Sequence, residues 1–138
     1  MSGTTRIPHW EQLLAAAIAE AHTRPFAWGS HDCATWAFDL RRDLTGGPDH
    51  AALWRGRYTT PRGAVRVMRK HGWLSLEEGA RALLGAPLDT VLLAQRGDLV
   101  LGGDPEAFGV CLGAEAAFVG PDGLTHLPLS ACRLAWRT

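Results

Sequence analysis

Gly97-Asp98-Leu99-Val100-Leu101-Gly102-Gly103-Asp104-Pro105-Glu106-Ala107-Phe108-Gly109-Val110-Cys111-Leu112-Gly113 is where the texture of the chain changes. Two short apolar runs, Leu99 to Leu101 and Phe108 to Leu112, flank a turn rich in Gly, Asp and Pro. That is strand, turn, strand. The pattern continues beyond it. Ala116 to Val119, Leu124 to Leu127 and Arg133 to Trp136 are further short apolar runs, and Gly120-Pro121-Asp122-Gly123 divides the first two of them. A small antiparallel sheet over residues 97–138 is predicted.

Upstream, over about residues 1–90, the period is helical. Trp10, Leu13, Leu14, Ala17, Ile18 and Ala21 share one helical face, with Pro8 suited to the first turn and Arg24-Pro25 to the end. Cys33, Trp36, Ala37, Leu40 and Leu44 share a second face, with Asp32 as cap and Gly46-Gly47-Pro48 as stop. A third helix fits Pro61 to His71, capped by Thr60 and closed by Gly72. Its apolar side carries Ala64, Val65 and Met68, and its other side Arg62, Arg66 and Arg69. The capping box Ser75-x-x-Glu78 opens a fourth, and Gly85 closes it. Helices first and strands after define an α+β domain, N-terminal helices packed on a C-terminal antiparallel sheet. No alternating βαβ unit or glycine-rich phosphate loop occurs.

The 138 residues suit one domain. Fourteen basic and fourteen acidic residues cancel, which argues against a polybasic nucleic-acid binder. No apolar run is long enough for a membrane span, and residues 1–6 lack the apolar core of a signal peptide. Cys33, Cys111 and Cys132 are too few for a disulfide scaffold and lack the paired spacing of a zinc site. No metal and no cofactor is expected, and synthesis in a reducing bacterial cytoplasm is. The zero net charge hides a polarity. Between Asp49 and Glu77 every charged residue is basic, whereas from Gly97 to Cys132 there is no Lys or Arg.

Chemistry concentrates in Trp28-Gly29-Ser30-His31-Asp32-Cys33-Ala34-Thr35-Trp36. A cysteine at a helix start meets free N–H groups and the positive dipole end, which favour a thiolate and an oxyanion. Cys33 also lies on the apolar stripe of its helix, where a buried structural thiol belongs. From the residues alone both roles stay open.

Trp28-Gly29-x-x-Asp32-Cys33, with the later Gly97-Asp98-Leu99-Val100 and Phe108-Gly109-Val110-Cys111-Leu112-Gly113, resembles the NlpC-type cell-wall cysteine peptidases of the papain-like superfamily. The likeness spans about residues 25–120 and is closest to small phage-encoded relatives among tail genes. It implies an NlpC-type fold, Cys33 in the nucleophile's place and a location in the virion, at the tail tip. The sequence departs from the family at the histidine, whose aligned position is Ala107, and at the Ser-Gly after the cysteine, replaced by Ala34-Thr35. Phe118 or Val119 stands near the place of the residue that orients the histidine, and neither is polar. The resemblance therefore implies a tail structural or assembly protein without hydrolase activity. Its partners would be other tail proteins or further copies of itself.

The alternative is an active peptidase or amidase cleaving peptidoglycan peptides, with Cys33 as nucleophile and His126, on the strand Leu124 to Leu127, as base. His31 is a second candidate base. Bland roles exist for each: a half-exposed strand residue for His126, a turn residue for His31, a helix cap for Asp32, and a turn residue after Gly97 for Asp98.

Overall fold

The computed structural model describes residues 6–138. Helix α1 spans Trp10–Thr23, α2 Cys33–Thr45, α3 Pro61–Lys70 and α4 Leu76–Leu84. Strands β1 Leu99–Gly102, β2 Ala107–Cys111, β3 Glu115–Gly120, β4 Gly123–Pro128 and β5 Cys132–Trp136 follow. They form one five-stranded sheet in the order β4-β3-β2-β1-β5, with every neighbouring pair antiparallel. This is the α+β architecture that the change of period at Gly97 predicts.

The caps fall where the residue types require them. Asp32 accepts from Thr35 N–H, Thr60 from Gly63 N–H and Ser75 from Glu78 N–H. Each satisfies a first-turn donor that has no partner within its helix. Two details differ from expectation. The Glu78 carboxylate reaches back to the N–H of Leu74 rather than that of Ser75. Pro8 lies before α1 rather than in its first turn, because His9 takes a left-handed conformation (φ 61°) and the helix begins at Trp10.

Helix α2 is the axis of the molecule. Trp36, Ala37, Phe38, Leu40 and Leu44 are buried around its circumference. They pack with Leu14 and Ala21 of α1, with Phe108 and Val110 of β2, and with Ala117 and Val119 of β3. The other side of the sheet is also covered. Val100, Cys111, Ala116, Phe118 and Ala135 pack under Val91 and Leu129. Two covered faces explain why β1 is buried at every position rather than alternately.

A polar knot joins the two ends of the described chain. The carboxylate of Asp98 is fully buried. It accepts from the backbone N–H of Gln95 and Thr138 and pairs with Arg6 at 3.0 Å and Arg137 at 3.3 Å. Arg6 also donates to the carbonyl of Thr138 and lies over the ring of Trp10. Asp98 is thus a structural hub, a larger role than that of a turn residue.

Candidate functional site around Cys33

The turn before α2 is held by backbone chemistry. Ala27 and His31 form a short antiparallel bridge. Gly29 takes φ +84°, and a Cβ there would come within 2.3 Å of the Tyr58 carbonyl oxygen, so no larger residue fits. Asp32, 2% exposed, then collects three donors. Its Oδ1 accepts from Thr35 N–H at 2.8 Å, and its Oδ2 from Gly29 N–H at 2.8 Å and from the Tyr58 hydroxyl at 2.5 Å. The cap therefore also clamps the Trp28 turn and the Tyr58 segment to the start of α2.

Cys33 follows as the first residue of α2. Its thiol borders a cavity of about 100 Å3 that runs beneath α3 and α4. The wall is almost wholly carbon: Trp28, Phe38, Trp54, Trp73 and Phe108 supply rings, while Ala34, Ala64, Gly79 and Ala80 leave room between them. Backbone N–H groups of Phe108 and Ala34 point toward the sulfur and favour a thiolate. Burial outweighs them, and the adjacent Asp32 charge acts in the same sense as burial. The thiol pKa is pushed up to about 11. The helix start alone argued for a lowered value, and desolvation decides against it. The Tyr58 phenol is likewise raised, by burial first and then by its bond to Asp32.

The candidate bases lie elsewhere. Among the described residues no histidine lines the cavity. His126 is exposed on β4 and stacks on His22 of α1 with ring centroids 6.0 Å apart. Its neighbour across the ladder is Ala117, whose own partner is Val110 of β2. His126 is therefore two strands from β2, on the order of 9.5 Å. The structure does not bring Cys33 and His126 together as a pair. His31 is 2% exposed, and neither ring nitrogen has a hydrogen-bond partner among the described residues. Burial, then Arg24, lowers its pKa and keeps the ring neutral. It does not line the cavity either.

The start of β2 also reads differently in three dimensions. Ala107 packs toward the covered far side of the sheet, whereas Phe108 faces the helices and the cavity. The side chain that this part of β2 gives to the cavity wall is thus that of Phe108, not Ala107. Val119 faces the helices, and Phe118 packs on the far side. Cys111 and Cys132 are buried free thiols, as strand-borne apolar residues.

Tyr58, Trp54 and Phe108 escaped the sequence reading. Tyr58 meets Asp32 across 26 residues, and the Trp54 indole donates to Thr35 Oγ1 at 3.2 Å across 19. Nothing local marks such partners. Arg62, Arg66 and Arg69 line the outer side of α3 as expected, and none forms an ion pair among the described residues. Val65, expected on the apolar side, is exposed with them. The described residues contain no cluster of three metal-ligating side chains, and no described helix is long and apolar enough to cross a membrane.

Residues 5–138 match a family described as a domain of unknown function, DUF6950. The chain belongs to the DUF6950 family. No curated protein and no solved structure matches it. In this DUF6950 chain the match takes in both the Cys33 cavity and the Asp98 knot.

Proposed function

We propose that this DUF6950 protein is a structural or assembly component of a phage tail, in the tip region, with an NlpC-like layout and no hydrolase activity. The observation that carries the loss of activity is the setting of Cys33: a thiol pKa pushed up to about 11, with no imidazole in the cavity wall among the described residues. Cysteine hydrolysis needs a thiolate and a group that later protonates the leaving amine. The raised pKa disfavours the first, and among the described residues no histidine in the cavity wall supplies the second. The assignment to a tail rests on the motif resemblance. The unpaired basic side of α3 suits docking to an acidic neighbour, a tail protein or another copy.

One observation favours the alternative peptidase or amidase. The N–H groups of Phe108 and Ala34 gathered at the sulfur are of the kind that stabilise an oxyanion. The two readings separate in one experiment. In a phage that encodes this chain, deleting its gene should abolish infectious particles, and the Cys33→Ala gene should restore them in full. Purified wild-type protein should release no peptide from isolated peptidoglycan. Infectious particles without the gene overturn the tail role. Peptide release that depends on Cys33 overturns the loss of activity.

A further inference from the structure

We infer that the cavity beneath α3 and α4 is a binding site for a single uncharged aromatic ring. This stands apart from the tail reading, since it concerns what the cavity holds and not where the protein works.

Three features point to a ring. The first is size. A cavity of about 100 Å3 is of the order that accepts one benzene-sized group, the known case being ~150 Å3. The second is the geometry of the walls. Phe38 meets Trp54 at 85° and Phe108 at 87°, and Trp54 meets Trp73 at 80°. Rings set edge to face leave further edges and faces for another ring, which gains quadrupole contacts that an aliphatic group of equal size does not. The third is polarity. Among the described residues no Lys, Arg or His lines the cavity, and the one carboxylate there, Asp32, is already taken by three donors. A charged ligand would enter unpaired, at a high desolvation cost. The Cys33 sulfur at the wall adds a favourable sulfur–ring contact.

The covering elements fit such a role. Every residue of α3 keeps some exposure, so the helix lies over the cavity without being sealed into the core. Trp73 is seated on α4 because residue 79 is glycine; a Cβ there would come within 3.2 Å of its ring.

An aryl group can arrive as a free small molecule or as a phenylalanine side chain on a peptide. The test titrates purified protein with toluene, methylcyclohexane and N-acetyl-phenylalaninamide, reading the methyl NMR signals of Met68 and Ala64. Toluene should shift both signals saturably and bind at least threefold more tightly than methylcyclohexane. Ala64→Leu, which fills the space from the half-buried side of α3, should weaken toluene at least tenfold. If that variant does not fold, the wild-type shift map decides, because Leu88 and Ala94 on the far side of the sheet should stay still. Binding of N-acetyl-phenylalaninamide at the same signals assigns the site to a peptide side chain, and binding of toluene alone assigns it to a free aryl compound. No saturable shift at Met68 and Ala64, or equal affinity for methylcyclohexane, overturns the inference.

Discussion

The thiol of Cys33 should be a poor nucleophile, by an amount that can be worked out. Its pKa rises from an ordinary 9.0 to about 11. Near about pH 7.5 that leaves roughly a hundredfold less thiolate than an unperturbed cysteine would have. A thiolate of higher pKa is intrinsically more reactive, and two units at a Brønsted slope of ~0.45 return a factor of about eight. The net chemical deficit is therefore about tenfold for a thiol that is itself half-buried. The assay is iodoacetamide labelling of a Cys111→Ala/Cys132→Ala variant, followed by mass spectrometry and compared with the same protein in urea. The logarithm of the rate should climb with unit slope through neutrality and level off only toward pH 11. A plateau below about pH 8, or a rate above that of the unfolded chain, would refute the account of the site as desolvated and base-free. The same shift has a stability consequence. The folded pKa lies above the unfolded one, so the contribution is fully present below pH 9 and is lost as pH rises toward 11. Two units amount to at most about 2.7 kcal/mol, and Cys33→Ala should flatten that alkaline limb.

Four further outcomes are expected. Asp32→Asn leaves at least one of three buried donors facing an amide NH2, at a cost of about 3 kcal/mol in urea unfolding; a loss under about 1 kcal/mol would contradict the clamp. Gly29→Ala must displace the Tyr58 carbonyl and hold alanine at positive φ, lowering stability by about 2 kcal/mol or more, read as a drop in Tm. Asp98→Ala leaves Arg6 and Arg137 without their buried partner and should cost about 3–5 kcal/mol in denaturant titration. On the acid side, the lowered pKa of His31 makes its contribution present above about pH 6.5 and lost as pH falls further. His31→Phe should therefore reduce the acid sensitivity of the Tm, leaving the part due to His50, whose pKa is also lowered by burial.

What the sequence disclosed depended on the range of the interactions involved. Helix starts at Cys33, Pro61 and Leu76 are written in the residue before each, because a cap is a contact over three residues. The strands are written in their turns; Gly120-Pro121-Asp122-Gly123 fixes the β3–β4 hairpin, whose last paired residues are Gly120 and Gly123. The site was half legible. The placing of Cys33 and the capping by Asp32 are local, whereas the burial that raises the thiol comes from α3, α4 and Phe108, far along the chain. Ala107 shows a different limit. Alignment by motif counts residues, but a strand alternates faces, so a match in register by residue put the altered position one side chain away from Phe108, the group that meets the cavity. Strand alternation places His126 on a side of the sheet but says nothing of how many strands separate it from β2.

The strand order has a consequence for how the molecule assembles. Strands β2, β3 and β4 form a meander whose pairings close over short loops, so they can zip together early and independently. Strand β5 behaves differently. It must return across the sheet to lie beside β1, pairing Trp136 with Leu99 and Ala135 with Val100. Until it does, β1 has a bare edge, and the buried carboxylate at its start lacks Thr138 and Arg137. Arrival of the last strand therefore seals the edge and completes the electrostatics of Asp98 in one event. Folding should show two kinetic stages, with weakening substitutions in the meander slowing the first and Asp98→Ala acting on the second.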